Sequence, residues 1–184
     1  MNIIETPIKD LFVIEPKIWK DARGYFYESY SAKHIAEADI NAVFVQDNQS
    51  FSQKGTLRGL HAQAPPFAQG KLVRVIKGAV LDVAVDIRKN SPTYGQHFSI
   101  ELSGENHKQL WVPPGFLHGF LTLEDDTIFT YKVTNYYDKN SEIGMIWNDP
   151  SLNINWNEQL KAAELLLSDK DLILPDFASF QSPF

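Results

Sequence analysis

The sequence predicts an all-β fold, a β-sandwich or barrel with a few short helices at its periphery. Three observations carry this expectation. Short segments with period-two apolar alternation recur along the chain, turn-forming clusters separate them at short intervals, and no series of long helices alternates with them as a parallel α/β sheet requires.

Strands are expected at 11–17, 26–30, 44–51, 72–76, 81–87, 97–102, 109–112, 119–123 and 127–135, and 57–63 and 71–76 read as neighbouring extended segments joined by a turn at Pro65-Pro66. The clearest is 81–87, where Leu81, Val83, Val85 and Ile87 alternate with Asp82, Ala84 and Asp86. That pattern implies one packed side, with both carboxylates facing the other way. Lys77-Gly78 separates this run from 72–76 as a hairpin turn would, because glycine accepts the positive φ of tight connections. Asn90-Ser91-Pro92, Ser103-Gly104-Glu105-Asn106, Pro113-Pro114-Gly115 and Glu124-Asp125-Asp126 mark further turns. Ser31 is placed to cap a short helix reaching Asp39, and a second helix is expected at 157–167. The tail, 172–184, carries Pro175, Pro183 and three phenylalanines and is expected to pack as an irregular strap.

At 184 residues the chain suits a single domain, expected to span 1–184, and its hydrophobic (43%) and charged (22%) fractions argue against long disorder. The net charge of −6 and the scattered Lys and Arg disfavour nucleic-acid or anionic-membrane partners. The absence of cysteine excludes disulfides, thiolate metal sites and cysteine nucleophiles. Residues 1–7 lack the basic start and apolar stretch of a secretion signal, so a cytoplasmic location is expected.

Chemistry concentrates around two histidines. Gly55, His61 and Gln63 resemble the first motif of the cupin family, and Pro113-Pro114-Gly115-Phe116-Leu117-His118 resembles the second. Metal-binding cupins supply two histidines and a glutamate from the first motif. Here Gln63 stands at the second histidine position and 64–68 holds no carboxylate, so His61 and His118 fall short of the three protein ligands a metal site needs. No metal is expected. An unmetallated histidine titrates near neutrality and serves as a general base when a carboxylate holds its tautomer; Asp171 and Asp82 are the candidates to hold His61. Arg58 and Lys71 place two cations nearby, a costly arrangement unless an anionic ligand or intermediate sits between them. Tyr131 shares a strand face with Thr127 and Phe129, from which its phenol could deliver a proton opposite the base.

Together these runs resemble the dTDP-4-dehydrorhamnose 3,5-epimerases, cupin-fold enzymes of dTDP-L-rhamnose biosynthesis. The matching stretches are Asp21 to Tyr30, Phe44 to Ser50, Leu57 to His61, Gln69 to Val73, Asp82 to Arg88, Gln109 to Phe120, Tyr131-Lys132 and Leu167 to Asp171. The resemblance implies a cupin-type jelly roll and cofactor-free inversion of C3 and C5 of dTDP-4-dehydro-6-deoxy-D-glucose. It further implies His61 as base, oriented by Asp171, with Tyr131 as acid and Lys71 stabilising the enolate oxygen, while His118 lies close to the sugar. Arg23 and Arg58 would bind the diphosphate, and Glu28, Gln46, Asn48, Glu142 and Lys170 would complete the ligand contacts. It also implies a homodimer in which the segment bearing Arg23 and Glu28 reaches the neighbouring site. The stretch 157–164 is longer than the family's usual proline-containing one, which keeps Asp82 open as a partner for His61. Other readings are a 3-epimerase, a 3,4-ketoisomerase and a non-catalytic nucleotide-sugar-binding jelly roll.

Overall fold

The structure, a computed structural model, describes residues 1–156 and 165–184. Its strands are β1 (Asn2–Glu5), β2 (Phe12–Glu15), β3 (Trp19–Asp21), β4 (Gly24–Phe26), β5 (Gln46–Ser52), β6 (Leu57–Gln63) and β7 (Lys71–Lys77). They continue as β8 (Ala79–Asp86), β9 (His97–Ser103), β10 (Gln109–Val112), β11 (Phe116–Thr122), β12 (Thr127–Val133) and β13 (Glu142–Gly144); among the described residues one α-helix, α1 (Ala32–Ala36), follows β4 and a 3₁₀ turn, Lys139–Ser141, precedes β13. One antiparallel sheet runs in the order β1-β2-β10-β7-β12-β5 and a second in the order β13-β6-β11-β8-β9; β3 and β4 form a separate two-stranded ribbon.

Alternation along each strand decides which side chains meet between the sheets. Val13, Val73, Val75 and Leu110 of the first sheet pack against Val80, Ala84, Phe116 and Phe120 of the second, the sandwich core expected of a jelly roll. Each of the valine, leucine and phenylalanine side chains contributes about 1.5–3 kcal/mol when fully buried. The outer face of the second sheet is covered too: Val83, Val85, Leu117 and Leu121 lie under Leu167, Phe177, Phe180 and Phe184. The tail is therefore the strap the sequence predicts. On the outer face of the first sheet, Ile14, Leu72 and Trp111 are covered by Ile35 of α1 and Ile40.

Several expectations change in detail. Lys77-Gly78 is not a hairpin: β7 and β8 belong to different sheets, and Gly78, at φ +79°, turns the chain from one to the other. A Cβ there would stand 2.2 Å from Thr127 Oγ1, so this corner accepts only glycine. Strand 81–87 is packed on both sides, and its Asp82 and Asp86 point inward, both fully buried. Asp86 is satisfied by Arg88, Ser91 and Thr93, which explains how a carboxylate survives there. The strand expected at 26–30 ends at Phe26, because beyond it the chain is held by side chains: Arg74 Nη1 donates to Tyr27 Oη at 3.1 Å and Gln109 Nε2 to the Ser29 carbonyl at 2.9 Å. Ser31 does cap α1, but the helix stops at Ala36 rather than Asp39. Of the helix expected at 157–167, residues 157–164 lie outside those described, and Leu166 forms a bridge with Thr56 instead of a helical turn. Strands β1, β3 and β13 had no expectation attached; each is only three or four residues long, too short to show a period.

Candidate active site

The two sheets also line a cavity of about 720 Å³. Asn48, Arg58, His61, Lys71, His118, Tyr131 and Asp171 all line it. Their convergence follows from local backbone features. Arg58 and His61 are three residues apart and would face opposite sides of a regular strand. A β-bulge intervenes: His118 pairs with His61 but Phe120 pairs with Arg58, so β6 carries one extra residue against β11. The bulge returns both side chains to the cavity. It sits at Gly59, where a Cβ would come within 2.5 Å of Gly119 Cα. Lys71 starts β7 and reaches the same cavity from the opposite sheet, as do Asn48 on β5 and Tyr131 on β12.

Two histidine–carboxylate pairs stand side by side. His61 Nε2 donates to Asp171 Oδ1 at 2.6 Å, and His118 Nε2 donates to both oxygens of Asp82 at 3.0 Å. The open alternative for His61 is thereby closed, since Asp82 is occupied by His118. Burial alone would raise the Asp171 carboxyl, but hydrogen bonds from His61 and Ser168 outweigh it and hold the group below its ordinary value. With Nε2–H committed to Asp171, His61 keeps Nδ1 as the nitrogen with a free lone pair.

Lys71 is half-buried. Desolvation pulls its amine down to about 8, against the opposing pull of Asp82 and Glu142. Tyr131 moves the other way: burial raises its phenol, and the Arg58 charge only partly offsets that. Arg58 is exposed at the rim, its guanidinium 3.4 Å from Ser52 Oγ. Glu142 lies beside the cavity on β13, ion-paired with Lys170 and accepting from Tyr137 Oη at 2.9 Å. Burial would raise its carboxyl, and these two contacts more than compensate, leaving it below its usual range. Gln46 donates to Asn48 at 2.7 Å from the same face of β5.

Arg23 and Glu28 are not brought to this cavity. Arg23 projects from the β3–β4 ribbon, 90% exposed and paired with Asp21 at 2.6 Å, while Glu28 lies 3.5 Å from His34. Gln63, at the second cupin histidine position, accepts the Asp138 N–H at 2.8 Å and so holds the turn before β13. Sequence reasoning passed over Ser168, whose hydroxyl donates to Asp171 Oδ2 at 2.8 Å. The Ser-x-x-Asp spacing was the available signal, since such serines bond the residue three positions on. It also passed over Phe120, whose ring stacks on that of Phe129, 4.2 Å between centroids, to wall the cavity.

Comparison with known proteins gives a concordant picture. The sequence profile of the dTDP-4-dehydrorhamnose 3,5-epimerases matches residues 5–179. A dTDP-4-dehydrorhamnose 3,5-epimerase of Shigella flexneri is 53% identical over 94% of this chain and 93% of its own. Among solved structures, the epimerase of Elizabethkingia anophelis superposes with a TM-score of 0.92 at 46% identity, covering 97% of both chains. An epimerase of Legionella pneumophila, solved with dTDP-4-keto-L-rhamnose, superposes with a TM-score of 0.90 at 50% identity, covering 98% of this chain and 94% of that one. On fold, profile and identity alike, the chain belongs to the dTDP-4-dehydrorhamnose 3,5-epimerase family.

Proposed function

We propose that the protein converts dTDP-4-dehydro-6-deoxy-D-glucose to dTDP-4-dehydro-L-rhamnose by inverting C3 and C5, without a cofactor. The observation that carries this reading is His61, backed by Asp171 at 2.6 Å, opening on a hexose-sized cavity that Lys71 and Tyr131 also line. Both carbons to be inverted flank the C4 ketone, so their hydrogens are acidic and one oxyanion site serves both. His61 Nδ1 takes the proton at C3, the electron pair moves into the C4 oxygen, and the Lys71 ammonium stabilises the enolate. Tyr131 then protonates carbon from the opposite face, and solvent returns the proton from His61 to the phenolate. Rotation of the sugar presents C5 to the same groups for a second cycle.

His118 sits beside His61 and contacts the sugar. Arg58 holds the diphosphate, and Gln46, Asn48, Glu142 and Lys170 make the remaining contacts. A homodimer supplies Arg23 and Glu28 to the neighbouring site; their exposure on the β3–β4 ribbon and the segment after it, away from their own cavity, supports that arrangement. The donor set favours metal-free chemistry, because Gln63 stands at the second cupin histidine position, engaged with Asp138, and the described residues group no three His, Cys, Asp or Glu side chains able to hold a metal ion. A cytoplasmic enzyme without membrane or nucleic-acid partners fits the net charge of −6 and the lack, among the described residues, of a helix able to cross a membrane.

Incubation with the 4-keto sugar nucleotide in D₂O tests the proposal. Deuterium is expected at both C3 and C5. Label at C3 alone would make the protein a 3-epimerase, and no label at either carbon would leave only a binding protein.

A further inference from the structure

Asp171 reaches His61 from a segment without regular secondary structure. That segment is tied to the barrel where Leu166 donates to the Gly55 carbonyl at 2.8 Å and accepts from Leu57 N–H at 3.0 Å. Between this anchor and Asp171 the chain must fix a carboxylate well enough to hold one imidazole tautomer. Residues 168–171 do so by closing a turn twice: Asp171 N–H bonds the Ser168 carbonyl at 3.0 Å and lies 3.3 Å from Ser168 Oγ. The hydroxyl then donates to Asp171 Oδ2 at 2.8 Å. The two carboxylate oxygens are thus divided, Oδ2 to Ser168 and Oδ1 to His61. Asp171 is 3% exposed, so little else can satisfy Oδ2.

We infer that Ser168 is a positioning residue for the epimerisation: its hydroxyl locks the Asp171 carboxylate in the rotamer that presents Oδ1 to His61, and through it sets the basicity of the base. This rests on the reading of His61 as base. Donation by Ser168 withdraws charge from the carboxylate. Without it, Asp171 holds more negative charge against the ring and His61 keeps its proton to higher pH. Since the base acts only when unprotonated, the acid limb of the pH profile moves upward on losing the hydroxyl. A residue needed only for folding would lower the yield of active protein and leave the limb in place.

The test is the pH dependence of deuterium wash-in for Ser168→Ala, with Ser168→Thr and Ser168→Val as a pair of equal shape differing in the hydroxyl. In Ser168→Ala the acid limb is expected to rise by about one pH unit and kcat to fall about five- to tenfold, with KM within twofold. Ser168→Thr should restore the limb and Ser168→Val should not. Should Ala fold poorly, the Thr and Val profiles decide alone. An unshifted limb in Ser168→Ala, or identical limbs for Thr and Val, overturns the inference. The underlying reading fails separately, by undiminished wash-in in His61→Ala.

Discussion

His61 and His118 are register partners on adjacent strands, and each donates Nε2–H to a carboxylate. Their surroundings differ. His118 and Asp82 both come from the middle of the second sheet, with side chains 7% and 0% exposed, whereas the His61 ring is 26% exposed and its carboxylate arrives on an irregular segment. Asp82 is fixed by the strands on both sides of it, so its pair is part of the barrel wall. Asp171 is fixed by a turn, and its pair opens on the cavity. In the proposed mechanism the same two functional groups serve different ends: one pair shapes the site and moderates the charge of Lys71, and the other exchanges protons with the substrate. Depth of burial and the origin of the carboxylate separate the two.

The sharpest way to break this division is to truncate each ring. His61→Ala should lower wash-in at both C3 and C5 by about 10³-fold, the size of a general-base contribution. His118→Ala should cost about tenfold through looser sugar placement while both positions still acquire label. Equal, complete losses from the two variants would erase the distinction.

A second test uses the alkaline side of the profile. In the proposed mechanism Lys71 stabilises the enolate only as an ammonium, and burial brings its loss of a proton to about pH 8. Turnover is therefore expected to fall about tenfold between pH 7 and pH 9. Tyr131 cannot account for that limb, because burial moves its phenol upward, away from this range. Lys71→Arg should give a slower enzyme whose alkaline limb is gone. A limb unchanged in Lys71→Arg would assign it to another group.

These residues were unequally legible in the sequence. Strands such as β8 and β12 were readable because apolar side chains alternate with others over seven or eight positions. The inward turn of Asp82 was not readable, since a face carrying two carboxylates looks like a solvent face until the opposite face proves to be covered by the strap. That cover comes from residues far along the chain, which no local period reports. Arg58 and His61 sharing a face was hidden for a similar reason, as the bulge inserts a residue that only the pairing with β11 exposes. That His61 and Lys71 line one cavity was legible because two cations, Arg58 and Lys71, beside a histidine are costly without an anion between them, whereas Tyr131 stood out only through the family resemblance. Ser168 was not legible, because a serine beside acidic residues is ordinary at a surface.

The smallest expected effect separates the two carboxylates by electrostatics alone. Asp82 opposes the desolvation of Lys71, so Asp82→Asn, which keeps the shape but drops the charge, should lower the amine further. The alkaline limb would then move below pH 8 by about one unit, while the acid limb stays in place. Asp171→Asn should do the reverse. It removes the partner that stabilises protonated His61, so the acid limb moves downward and the alkaline limb holds, with lower turnover because an amide can also stabilise the wrong tautomer. Profiles of the two variants measured together give a crossed pattern. If both substitutions shifted the same limb, the pairs would be one coupled network and the separation by burial would fail.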